Sequence, residues 1–183
     1  MPQHIIVTAH DAEWKIKFEE EAKIIRHILK DNCIAVYHIG STSVPGLKAK
    51  PIIDIMPIVS NIQEVDLIAS EFKKIGYEYL GEFGIPGRRY LRKGGDERTH
   101  QIHIFGATNQ ADSERHLAVR DYLCTHKEIA DEYGKLKEKL AKDFPYDIEA
   151  YCDGKDEFMK ELEQVALSWK RSKNEKACSK YSY

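Results

Sequence analysis

Residues 52–56, Ile-Ile-Asp-Ile-Met, place one carboxylate in the middle of an apolar run. A short run of branched aliphatic residues has the composition of a buried strand. A charge inside such a strand is costly unless it is paired, hydrogen-bonded or bound to a metal. Any fold of this chain must therefore give Asp54 a polar partner or a cavity. The preceding segment narrows the choice. An apolar strand over 34–39 is broken by Gly40-Ser41-Thr42-Ser43, and Val44-Pro45-Gly46 makes a second turn. Small-residue turns expose backbone N–H groups and hold oxyanions such as phosphate. Gly40 alone need do no more than permit a tight turn. Gly40, Ser41 and Asp54 together point to a phosphate-plus-metal site. Lys48 and Lys50 flank the turn, and Lys50 leads into the strand of the acid.

Taken in order, Ile5-Ile6-Val7 reads as a short strand. Asp11 caps a helix whose buried stripe is Trp14, Phe18, Ala22, Ile25 and Leu29. The strand over 52–59 contains Pro57, where regular pairing is expected to end. Ser60 and Gln63 suggest a capping box for a helix that buries Ile62, Val65, Ile68, Phe72 and Ile75 and stops at Gly76. A short strand over 77–80 and a hairpin over 88–105 follow. Asp112 or Ser113 caps the first of three C-terminal helices. The pattern predicts an α/β (α+β) chain: one domain over 1–170, a mixed sheet backed by helices, and a helical C-terminal half. The Lys- and Ser-rich stretch over 171–183 reads as a disordered tail.

Side chains alternate along a strand. If Ile53, Ile55, Ile102 and Ile104 face the helices, Asp54 and His103 share the opposite face. Imidazole is a general base near neutral pH and a good zinc ligand, but a poor partner for magnesium. His103 can equally be a strand histidine bonded to a neighbour. Arg88, Arg89, Arg92 and Lys93 on the hairpin read as charge protecting a sheet edge, the alternative being cations that neutralise a polyphosphate.

The string GSTSVPGL, followed by AKP and IID, resembles the GrpB family, which has the nucleotidyltransferase superfamily fold. Ile39-Gly40-Ser41 and Asp54 match the first two parts of the superfamily pattern. The second acidic position falls on Met56. The resemblance extends through Arg120-Asp121-Tyr122-Leu123, Tyr133, Leu136 and Lys137, and Tyr151, Lys155 and Phe158. It implies binding of a nucleotide or another phosphorylated small molecule, with nucleotidyl or phosphoryl transfer if the site is catalytic. In that reading Gly40, Ser41, Thr42 and Ser43 hold phosphate, Lys50, Arg120 and Lys155 neutralise it, and Lys137 reaches with Arg120 and Lys155 over the open sheet face; the alternative for Arg120 and Asp121 is a structural ion pair. Asp54 holds a divalent ion, Mg²⁺ or Mn²⁺ before Zn²⁺, with His103 as second ligand or base. A module that kept the pocket and lost the metal is the alternative, and a zinc hydrolase using His38, His103 and Asp54 a third reading.

Composition sets outer limits. The chain has 183 residues, a formal charge of −2 and 42% hydrophobic residues. It is long enough for one sizeable core and has no global bias toward nucleic acid or anionic membranes. Cys33, Cys124, Cys152 and Cys178 are scattered and form no CxxC pair. With no signal-peptide pattern at Met1-Pro2-Gln3-His4, they read as free thiols of a cytoplasmic protein.

Overall fold

The computed structural model describes residues 4–179. Helix α1 (Glu13–Leu29) passes through a 3-10 turn, Lys30–Asn32, into strand β1 (Cys33–Ile39), and a second 3-10 turn, Ser41–Ser43, follows. Strand β2 (Ile53–Val59) leads into two short helices, α2 (Gln63–Leu67) and α3 (Ala69–Lys74). Strands β3 (Tyr77–Tyr79), β4 (Arg88–Lys93) and β5 (His100–Gly106) follow, then helices α4 (Gln110–Thr125), α5 (Lys127–Asp143) and α6 (Ile148–Ser179). The five strands form one mixed sheet in the order β1-β2-β5-β4-β3. β2 and β5 pair in parallel, and the other pairs are antiparallel. The α+β architecture and the helical C-terminal half are as expected.

Alternation divides the sheet into two unlike faces. Val36, Ile53, Ile55, Leu91, Ile102 and Ile104 point one way, onto Trp14, Ile25 and Leu29 of α1 and onto Val65 and Phe72. This is the largest apolar cluster. On the other face Ile39, Met56 and Phe105 pack against Leu117 of α4. Beside them Val44, Leu47, Leu123, Tyr133 and Leu162 tie the turn after β1 to the C-terminal helices.

Several local expectations are corrected. Residues 5–7 form no strand; Ile5 donates to the Pro145 carbonyl at 2.8 Å, and one bridge joins Thr8 to Ala49. Pro57 does not end β2. It pairs with Val36 on the β1 side, while Met56 and Pro57 drop out of the ladder to β5, as a residue without an N–H requires. Asn61, not Ser60, accepts the Gln63 N–H, because Asn32 draws the Ser60 and Asn61 N–H groups back to itself. The helix expected over 62–75 breaks at Ile68, where φ is −110° and ψ 13°. Asn109 caps α4 by accepting the Asp112 N–H. Helix α6 continues past Arg171 to Ser179, through a stretch free of Gly and Pro, although a disordered tail was expected from Arg171. Residues 180–183 of that tail lie outside the described residues.

Among the described residues no helix is long and apolar enough to cross a membrane. Cys33, Cys124 and Cys152 are free thiols.

Candidate functional site

Register places Asp54 beside Ile39 on one side and Gln101 on the other, so its side chain leaves the sheet on the face of the C-terminal helices. The turn that follows Ile39 closes directly over it. Gly40 has φ +69° and ψ −174°, a conformation that residues with a side chain rarely adopt. A Cβ at this position would lie 2.5 Å from Asp54 Oδ2. Glycine is needed here both for the backbone angle and for the close approach of the acid.

Asp54 opens into a cavity of about 130 Å³ between the sheet, the turn and helices α5 and α6. Lys50, Lys137 and Lys155 line it, together with Ser41, Gln101, Tyr133 and Tyr151. The lysine ammonium groups lie over tyrosine rings. Lys50 and Lys155 Nζ each lie 5.1 Å from the Tyr151 ring centroid, and Lys137 Nζ lies 4.3 Å from that of Tyr133. Lys137 Nζ donates to Ser41 Oγ at 2.8 Å. Burial first, and then the charges of Lys155 and Lys50, bring the Lys137 ammonium down to about 7, against the pull of Asp54. Burial, followed by the charge of Lys155, also lowers Lys50.

Several cations elsewhere are paired with acids. Arg89 is paired with Asp66 at 2.6 Å, Arg92 with Glu78 at 2.6 Å, Lys93 with Glu21 at 3.1 Å and Lys48 with Glu138 at 2.7 Å. Arg88 donates to the Phe83 carbonyl at 2.6 Å. Arg88, Arg89, Arg92 and Lys93 are thus held by the fold, while Arg98 Nε is buried without a hydrogen-bond partner. Among the described residues, none of the three cavity lysines has a carboxylate within salt-bridge reach.

His103 lies on the same face as Asp54, as alternation predicts, with Nε2 3.5 Å from Asp54 Oδ1. Its Nδ1 is 3.3 Å from Arg88 Nη1. Arginine can only donate, so Nδ1 accepts, and in the neutral ring Nε2 carries the proton. That tautomer presents an N–H to the acid and no free lone pair to a metal. His38 pairs across the strands with Ile55 and therefore points to the opposite face from Asp54. There it stacks on Phe18 and bonds Thr42 Oγ1 at 3.0 Å, and burial pushes its ring down to about 4. The grouping of His38, His103 and Asp54 does not form. Among the described residues no three His, Cys, Asp or Glu side chains gather to hold a metal ion.

Of the other expected residues, Ser41, Lys50 and Lys155 reach the cavity. Thr42 borders it, but its hydroxyl is spent on the Ile52 carbonyl at 3.2 Å and on His38. Ser43 Oγ turns back to the Gly40 carbonyl. Arg120 is drawn away: it donates to the His38 carbonyl at 3.1 Å, pairs with Asp121 at 2.7 Å, and lines a separate cavity with Arg115 and His116. Lys137, expected with Lys155 to reach over the open sheet face, lines the cavity, whereas Tyr133, Tyr151 and Gln101 were not assigned to the site. The usable signal was a lysine one turn after Tyr133 in an apolar stripe, since a buried lysine is rare without a role. Met56, at the second acidic position of the superfamily pattern, is fully buried with Ile39 and Phe105.

The fold and cavity define a mixed α+β domain with a cationic cleft between one sheet face and a layer of C-terminal helices. The chain belongs to the GrpB family, whose model, "GrpB protein", matches residues 4–165. It is 31% identical to the glutamate-rich protein GrpB of Alkalihalophilus pseudofirmus, over 86% of this chain and 93% of that protein. It is 43% identical to the UPF0157 protein YqkA of Bacillus subtilis, over 92% of this chain and 49% of that protein, so it spans about half the length of that relative. The crystal structure of the conserved protein GrpB from Enterococcus faecalis is 53% identical, with a TM-score of 0.87, over 89% of this chain and 98% of that one. A remote likeness to Cid1 in complex with ApU (16% identity, TM-score 0.43, 74% of this chain and 39% of that one) carries no argument.

Proposed function

We propose that the Asp54 cleft binds the phosphate groups of a nucleotide or another phosphorylated small molecule and supports metal-assisted nucleotidyl or phosphoryl transfer. One observation carries this reading: three lysines without ion-pair partners converge on one cavity that also holds Asp54, whereas Arg89, Arg92 and Lys93 of the hairpin are each paired with an acid. Ammonium groups held together repel, and an incoming polyanion relieves that repulsion. Lys50 and Lys155 would meet phosphate oxygens from two sides. Gly40 lets the turn approach the acid, and the Ser41 hydroxyl stands at the cavity wall beside Lys137.

The donor set fits one Mg²⁺ or Mn²⁺ held by Asp54 and the phosphates of the bound molecule, since such ions are commonly shared with substrate. It does not fit a two-metal clamp. Met56 is packed in apolar surroundings, and both ring nitrogens of His103 are engaged. When bound, the shared ion would neutralise charge developing on the transferring group. His103, held by Arg88, would fix the orientation of the Asp54 carboxylate.

The buried Met56 also favours a second reading, a binding module that keeps the anion pocket without catalysis. Calorimetry of the full chain with ATP and other nucleoside triphosphates, with and without Mg²⁺ or Mn²⁺, separates the two. The transfer reading expects metal-dependent binding that Asp54→Ala abolishes. Binding indifferent to metal and to Asp54→Ala supports the module. Both readings expect Lys50→Gln and Lys155→Gln to weaken binding by about ten- to a hundredfold, the range for one charged hydrogen bond. Unchanged affinity in both variants removes the cleft from consideration.

A further inference from the structure

Lys137 is set apart from the other two lysines by its surroundings. It is 2% exposed. Its Nζ touches a hydroxyl, Ser41 Oγ at 2.8 Å, and faces the Tyr133 ring at 4.3 Å, neither of which carries a negative charge. From other elements it faces the ammonium groups of Lys50, ahead of β2, and Lys155, on α6, with Asp54 on β2 as the opposing acid. A lysine desolvated beside other cations holds a large fraction of free amine near neutral pH, and the free amine is the nucleophilic form.

We propose that Lys137 is a covalent catalytic nucleophile whose Nζ accepts the nucleotidyl group of a nucleoside triphosphate bound in the Asp54 cleft. The inference rests on the nucleotide reading above. The Nζ lone pair forms a bond to the α-phosphorus. The bond from that phosphorus to the oxygen bridging to the β-phosphorus breaks, and its electron pair leaves with pyrophosphate. The amine gives up one proton to solvent, and a phosphoramidate remains on Lys137. A hydroxyl acceptor would need a base or a second metal to become nucleophilic, and the fold buries Met56 where a second acid would stand. A neutral amine needs neither. The Ser41 contact holds Nζ in place at the cavity wall.

The test uses the full chain with ATP, GTP, CTP or UTP and Mg²⁺ or Mn²⁺. The protein is denatured at alkaline pH, because P–N bonds are acid-labile, then weighed intact and mapped by peptide. The expected result is one nucleotidyl group per chain on Lys137, lost on acidification and removed by added pyrophosphate. Labelling should rise with pH through the neutral range. Lys137→Arg, or Lys137→Met should the first variant fail to fold, should carry no label while keeping a cooperative melt. A wild-type chain that the nucleotide stabilises against heat but never labels overturns the nucleophile and leaves the binding reading standing. Label on another residue, or label that survives in the Lys137 variant, overturns it as well. Absence of both label and stabilisation removes the two together.

Discussion

The two faces of the sheet are made by the same strands and obey opposite rules. On the face of α1, adjacent strands contribute isoleucine after isoleucine, and Ile55, Ile102 and Ile104 are fully buried. On the face of α4–α6 the intervening residues are Asp54, Gln101 and His103, beside a smaller apolar cluster centred on Ile39, Met56 and Phe105. The first face minimises water contact. The second leaves a gap between sheet and helices and fills its rim with unmatched charge. Stability and ligand chemistry are thereby assigned to alternate residues of one backbone, and a change at one position should move one property and spare the other.

The largest expected effect is on the apolar face. Ile55→Ala should destabilise the protein by roughly 3–5 kcal/mol in chemical denaturation, through lost burial and the cavity left behind. The neighbouring Asp54→Asn should move stability far less while removing metal-dependent binding. If Asp54→Asn unfolds the protein as readily as Ile55→Ala, the division between faces is wrong.

Next comes acid sensitivity. His116 Nε2 is buried with no hydrogen-bond partner, and burial, followed by the charges of His103, Arg115 and Arg88, pushes the ring down to about 3. The native state prefers it neutral, so its contribution is intact above its ordinary value of 6.5 and is lost as pH falls from there toward 3. The loss is on the order of 3 kcal/mol. In His116→Phe the fall in melting temperature between pH 7 and pH 4 should be visibly shallower. An unchanged slope would place the acid sensitivity elsewhere.

The smallest effect has the opposite sign. Burial of Lys137 opposes folding at every pH below the ordinary lysine value. Lys137→Met should therefore raise the stability of the unliganded protein at pH 7, by about 1–2 kcal/mol, while weakening anion binding. A destabilised Lys137→Met would mean that the polar face supports the fold through this residue.

Much of the apolar face was legible in the sequence, because helical and strand periodicities report burial directly. The stripe from Trp14 to Leu29 and the alternation around Ile53 and Ile102 place that layer correctly. The shared face of Asp54 and His103 also follows from period-two counting, and register confirms it. What counting could not supply is competition for each polar group. Arg120 carries the right charge, yet the His38 carbonyl and Asp121 claim it. Thr42 has the right hydroxyl, yet the Ile52 carbonyl claims that. Conversely Tyr133 and Tyr151, one in a core-like stripe and one known from resemblance alone, turn out to be the platforms under the three lysines. Those choices depend on how α5 and α6 lie over the sheet, which no local pattern encodes.

The close approach of Gly40 to Asp54 has a consequence for ligand capture. Main chain, not a neighbouring side chain, forms the wall against the carboxylate, so the rotamer of the acid is restricted as soon as the strand and turn come together. Its conformational entropy is surrendered during folding and need not be surrendered again when a ligand arrives. The reverse also holds. This wall is the rigid side of the cleft, and any accommodation of differently shaped guests must come from the long, jointed lysines opposite it.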